Sequence, residues 1–233
     1  MDAVRGDLVF LPADASIRGE VELIADHEHL GRVVQEGMLR ARVSLEVATA
    51  DFKAMLVPGP ASGSAPAGRR PAGGRGQVGG RVRGRAGGRG RRDAAPSIVE
   101  HFRGLAAGGV EVRVLHAGVP SGPALQQLKT PASASNDTTN RRGGMTLRRC
   151  PRLHAKAVVV DAQWMYLGSA NLTGAGLGAK GPTRRNFEWG IVSQDPTLID
   201  AVLGRFNALW EGEHCPGCGR RDVCPVPLEE PRL

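Results

Sequence analysis

Apolar positions along the chain fall into short runs of two periods. Residues 28–40, EHLGRVVQEGMLR, place Leu30, Val33, Val34 and Met38 at helical spacing. RVSLEVATA follows and alternates Val43, Leu45 and Val47, the pattern of a half-buried strand. In PSIVEHFRGLAAGG, Pro96 suits a helix start, Ile98, Phe102 and Leu105 form a stripe, and Gly108-Gly109 stop it. VEVRVLHAG reads as the next strand. Residues 119–146 are polar, rich in Ser, Asn and Thr, and read as a loop. RLHAKAVVV and WMYLG read as two strands parted by DAQ, and NFEWGIVS as another. PTLIDAVLGRFNALWEG reads as a closing helix with Leu198, Val202, Phe206 and Leu209 on one face. The order is helix, strand, helix, strand, strand, strand, strand, helix. It predicts an α/β domain with a mixed β-sheet flanked by helices.

Composition adds bounds. The chain has 233 residues, 41% of them apolar, enough for a core. No run approaches the roughly 18 apolar residues of a membrane span. The opening MDAVRGDLVF lacks a basic region followed by an apolar stretch. The expectation is a cytoplasmic protein without stable membrane association.

Charge changes the picture only locally. The net charge of +8 resides in residues 59–93, which hold nine Arg and one Asp. That Gly/Arg-rich segment has almost nothing to bury, so it is expected to be disordered. Arg-Gly tracts hold single-stranded nucleic acid through phosphate charge and guanidinium stacking. The plainer alternative is a surface-loop insertion without function.

The densest chemistry lies in RLHAKAVVVDAQWMYLGSANLTGAG, Arg152 to Gly176. His154 and Lys156, two apart in a strand, share a face. Asp161 falls where the strand must turn, and its parity puts it off that face. Simple hairpin register would aim Ser169 and Asn171 wrongly, and Gly168 offers a way to swing them inward. A neutral imidazole can attack phosphorus while Lys156 and Asn171 hold the non-bridging oxygens and Ser169 adds a hydroxyl.

HAKAVVVD with GSAN resembles the HxKxxxxD…GSxN motif of the phospholipase D superfamily. SIVEHFRGLAAGGVEVRVL and the NFEWGIV strand with its closing helix resemble the surrounding elements of one family half. The resemblance implies His154 as the nucleophile of a phosphohistidine intermediate, Lys156 and Asn171 as the phosphate-binding pair, and Ser169 as a supporting donor. It carries Asp161 along as a motif residue. Glu188 matches a carboxylate that orients the His in family members; the alternative is an exposed strand residue.

The family reaction needs two His, one to attack and one to protonate the leaving oxygen. The remaining ones are His27, His29, His101, His116 and His214, and none has Lys two residues later with a following GSxN. His116 reads as structural. The chain therefore supplies half a site, and the economical solution is a symmetric homodimer.

The tail reads HCPGCGRRDVCP, with Cys215, Cys218 and Cys224 inside ten residues and Cys150 four residues before His154. Such spacing in a reducing compartment suggests metal before disulfide. Zn²⁺ is one occupant, with Cys150 or His214 as fourth ligand. An iron–sulfur cluster is another. Four reduced thiols without metal are the third possibility. No catalytic cofactor is implied.

Three function classes follow. The leading one is a dimeric phosphodiesterase acting on nucleic acid, DNA before RNA, with Arg148, Arg149 and Arg152 near the site. The second is a phospholipase or phosphatidyltransferase. The third is a non-catalytic phosphate or nucleic-acid binding module. The tail and half-site are also similar to the phospholipase-D-like protein of the DISARM anti-phage system, which implies defence-system partner proteins. The expected organisation is an N-terminal segment over 1–27, a phospholipase-D-like domain over 28–212 interrupted by the insert 59–93, and a Cys-rich tail over 213–233.

Overall fold

The computed structural model describes residues 19–57, 95–129 and 143–224. The Gly/Arg-rich insert lies outside the described residues. Among the described residues, seven strands form one sheet in the order β1-β7-β6-β5-β2-β3-β4. They are β1 (Val21–Ala25), β2 (Ser44–Thr49), β3 (Glu111–His116), β4 (Gly144–Arg149), β5 (Ala157–Val160), β6 (Trp164–Gly168) and β7 (Trp189–Ser193). β2, β3 and β4 run parallel, and the other pairings are antiparallel, so the sheet is mixed as expected.

Helices cover both faces. α1 (Ile98–Ala107) carries β2 across to β3, and α2 (Gly122–Lys129) carries β3 towards β4. The capping residue of α1 is Ser97, whose hydroxyl accepts from Glu100 N at 3.2 Å while Glu100 accepts from Ser97 N at 2.6 Å. Pro96 sits just outside. α3 (Pro196–Trp210) is capped by Asp195, which accepts from Leu198 N at 3.0 Å. Its buried side chains are Ile199, Phe206 and Trp210. They pack on Ala48, Leu115, Ala157, Val159 and Met165 of the sheet. The larger core lies on the other face, where Phe102 of α1 meets Leu45, Val47, Val112, Val158 and Tyr166.

Several expectations need correction. Residues 28–40 form no continuous α-helix; they make a π-helical turn at Leu30–Gln35 and a 3-10 turn at Met38–Arg40. Val33, Val34 and Met38 are still the buried positions. The polar stretch 119–146 contains α2 and the start of β4. β4 is an edge strand with only half-buried and exposed positions, so GMTLRR shows no clean alternation. β1 escaped for the same reason, since only Ile24 of VELIA is buried. β1 pairs with β7 from Val21↔Ser193 to Ala25↔Trp189, so part of the expected N-terminal segment belongs to the sheet.

Candidate active site

The strand ends gather the chemistry. The C-terminal ends of parallel β2, β3 and β4 lie beside the start of β5, the end of β6 and the start of β7. Open α/β sheets leave a crevice beyond such ends. His154 and Lys156 stand just before β5, Ser169 and Asn171 just after β6, and Glu188 just before β7.

Irregular backbone, not a pleated strand, carries the basic pair. His154 is exposed, whereas Lys156 is only 7% exposed. The Lys156 ammonium donates to His154 O at 2.8 Å and lies 3.2 Å from each nitrogen of the ring. Gly168 N donates to Lys156 O at 3.1 Å, so main chain joins the two halves of the motif.

Ser169 is held from β7. Its N–H donates to Trp189 O at 2.9 Å, and its hydroxyl donates to the Glu188 carboxylate. The other Glu188 oxygen accepts from Asn186 Nδ2 at 3.0 Å. Glu188 is buried, which corrects the exposed-strand reading. Among the described residues its side chain bonds Ser169 and Asn186 rather than His154, so its place in this geometry is to hold Ser169.

Asn171 turns its oxygen inward. Oδ1 accepts from Ala50 N and Asp51 N at 3.1 Å each, with Thr49 Oγ1 at 3.4 Å. That commits the oxygen to the end of β2 and leaves the Nδ2 hydrogens as donors.

Asp161 does not join this cluster. It lies at the far end of β5, in a tight turn where Asp161 and Ala162 have φ of 54° and 52° and Gln163 N donates to Val160 O at 2.9 Å. Such a turn matches the twist of a hairpin. The carboxylate accepts from the N–H groups of Arg42, Val43 and Ser44 at 2.7 to 3.1 Å. Asp161 fastens the start of β2 to the β5–β6 hairpin.

Two supporting residues escaped sequence reasoning. Tyr166 OH lies 3.1 Å from His29 Nε2 and accepts from Ala170 N at 3.2 Å. The ring leaves no room above its neighbours, since a Cβ at Gly190 would lie 2.2 Å from Tyr166 Cε2 and one at Gly168 would lie 2.4 Å from Tyr166 OH. Gly168 therefore admits the tyrosine that props the Ser169–Asn171 loop. Burial pushes the Tyr166 phenol up to about 12 and holds His29 below its ordinary value. The available signals were a lone Tyr and a His beside an apolar stripe. His116 is structural as expected: it is buried, its Nδ1 lies 2.8 Å from Gly118 O, and burial lowers its pKa.

The arginines divide. Arg148 bonds Trp210 O and lies 4.8 Å over the Trp210 ring, so it is a packing residue and not a phosphate clamp. Arg149, Arg152, Arg220 and Arg221 line a cavity of about 310 Å³ beside His154. Cys150, Cys215, Cys218 and Cys224 line it too. The backbone N–H of Arg220 and then the Arg152 guanidinium hold the Cys218 thiol below its ordinary pKa. Among the described residues, no three His, Cys, Asp or Glu side chains already stand at metal-binding separation.

Residues 94–210 match the family model described as "Cardiolipin synthase, PLD-like domain". The matched span is half of the chain. The chain belongs to the phospholipase D superfamily, a superfamily of phosphodiesterases. Solved structures with a similar fold include Nuc from Salmonella typhimurium, at 16% identity and a TM-score of 0.46, covering 83% of this chain and 95% of that one. NucT from Helicobacter pylori follows at 12% identity and 0.44, covering 83% and 96%. Phosphatidylserine synthase from Haemophilus influenzae Rd KW20 aligns at 14% identity and 0.43, covering 81% of this chain and 38% of that one. No curated protein matches the chain. No helix among the described residues is long and apolar enough to cross a membrane.

Proposed function

We propose that the chain hydrolyses nucleic-acid phosphodiester bonds, DNA in preference to RNA, through a phosphohistidine on His154 in a homodimeric site. The carrying observation is the exposed His154 ring with the Lys156 ammonium 3.2 Å away, beside a crevice lined by four arginines. In this reading a neutral His154 attacks phosphorus. Lys156 and the Asn171 amide stabilise the charge that builds on the non-bridging oxygens. Ser169, fixed by Glu188, adds a donor. The leaving oxygen takes its proton from His154 of a second copy, which then deprotonates the water that releases the phosphate.

A second copy also suits the surface beside the site. Leu23, Ile191 and Leu167 are cross-strand partners on β1, β7 and β6, so they share one face. Leu23 is 72% exposed, Trp189 71% and Phe187 91%. An apolar row of this kind next to the proposed half-site supports an interface between copies. A lipid surface could occupy the same row, and the family description makes phosphatidyl transfer the second reading.

One panel decides between them. Purified chain is incubated with labelled DNA, RNA and cardiolipin or phosphatidylglycerol vesicles, and its mass is measured in solution. DNA cleavage by a dimer is expected. Trp189→Glu should yield folded, inactive monomer. Lipid turnover without DNA cleavage, or an active monomer, overturns the proposal.

A further inference from the structure

All four cysteines of the chain line the cavity beside His154, and the phosphodiester chemistry gives their sulfurs nothing to do. Cys150 follows β4 directly, and its N–H donates to His116 O at 2.9 Å, so its sulfur is presented from the end of the sheet. The other three stand on residues 211–224, which contain only turns. Cys215-Pro216-Gly217-Cys218 is the tightest of these. Cys218 N donates to Cys215 O at 3.0 Å, and Gly217 has φ of +70°. Proline in second place and a positive-φ glycine in third define a type II turn, which brings its first and fourth residues close together.

Little else orders this tail. From Glu213 to Cys224 every residue is exposed or half-exposed, so packing contributes little. The charges fit a thiolate cluster. Four thiolates around a divalent cation leave two net negative charges, and Arg149, Arg152, Arg220 and Arg221 line the same cavity. Arg152 Nη1 already reaches Cys218 Sγ at 3.6 Å. Among the described residues the sulfurs do not stand at metal-binding separation, so binding requires the turns of the tail to rearrange.

We propose that Cys150, Cys215, Cys218 and Cys224 bind one Zn²⁺ as a closed tetrahedral site that fastens the tail to the end of β4. Zn²⁺ takes four thiolates at about 2.3 Å, and closed four-coordinate sites are structural. Binding displaces the four thiol protons, and nothing is oxidised or reduced. The ion takes no part in phosphodiester cleavage. It fixes Arg220 and Arg221 on the wall of the crevice. The inference stands apart from the proposed reaction, because metal content is read without any substrate.

Elemental analysis of the full chain, purified without oxygen or chelator, should give one zinc per chain. Cys218→Ser and Cys150→Ser should each lose the metal or weaken its binding by more than about 100-fold, beyond the roughly 10–100-fold of a lost supporting contact. Should a variant fail to fold, the wild-type chain stripped of metal and titrated with Co²⁺ gives the answer. The intense visible bands of tetrahedral thiolate cobalt, saturating at one equivalent, are expected. Stoichiometric iron with sulfide, or no metal and no cobalt bands, overturns the proposal. Zinc retained at wild-type affinity in Cys150→Ser overturns the four-thiolate site.

Discussion

The two ends of β5 carry residues of one motif in opposite circumstances. At the C-terminal end, Asp161 gives its carboxylate to three main-chain N–H groups at the start of β2. At the N-terminal end, the His154 ring is exposed, with a buried ammonium as its neighbour. One end is saturated by the protein's own backbone. The other turns its ring to the outside. Motif spacing marks both residues alike, and exposure separates the proposed nucleophile from the fastening residue.

The sharpest test of that contrast is His154→Ala. Activity should fall on the order of 10⁴-fold or more, as for loss of a nucleophile elsewhere. Thermal stability should stay at the wild-type value, because the ring is exposed. Lys156→Ala should cost about 10²–10³-fold by removing charge stabilisation from the transition state. Turnover by His154→Ala within about 10-fold of wild type would end the contrast.

Asp161→Ala should do the reverse. It leaves the N–H groups of Arg42, Val43 and Ser44 without their acceptor and puts Ala at φ of 54°. The expected loss is about 2–4 kcal/mol in denaturant unfolding. Turnover per folded molecule should hold within about twofold, since no reacting group is touched. Asp161→Asn should cost less, because Asn tolerates the left-handed region and keeps one oxygen. A fall in turnover matching that of Lys156→Ala would place Asp161 back in the chemistry.

How much was legible follows the same division. His154, Lys156, Ser169 and Asn171 stood out in the sequence by type and spacing, and the structure gathers them at one end of the sheet. α1, α3, β2 and β3 were readable because they bury one clear stripe or run. β1 and β4 were not, because edge strands bury few positions and show little alternation. The bonding of Glu188 to Ser169 rather than to His154 depends on where β7 begins beside β6, which spacing does not give. Tyr166 was hidden for a different reason. Its partners His29 and Ala170 lie 137 and 4 residues away, so the contact exists only after the sheet has formed.

Tyr166→Phe probes the support beneath the reacting end. It removes the acceptor of Ala170 N and the partner of His29 Nε2 while keeping the ring between Gly168 and Gly190. About 1 kcal/mol of stability should be lost. Activity should drop a few-fold, because the Ser169–Asn171 loop loses one of its props. Unchanged activity would mean that Asn171 and its bonds to β2 position the loop alone.

The smallest effect expected is the pH dependence of that support. His29 and His116 are buried, and burial holds both below their ordinary pKa. The unfolded chain therefore takes up protons near pH 6.5, while the folded chain does so only at lower pH. The stabilisation is full above about 6.5 and declines as pH falls, by no more than about 1.4 kcal/mol per pH unit for each histidine. Tyr166 works at the other limit. Its folded value is about 12, so unfolded chains ionise first. Stability should decline again as pH rises from about 10 towards the folded value. Unfolding midpoints across this range should form a plateau with two falling edges. Tyr166→Phe should soften the alkaline edge. His116→Asn, whose amide can still donate to Gly118 O, should soften the acid edge alone. An acid edge unchanged in His116→Asn would assign it to His29, at the reacting end of the sheet.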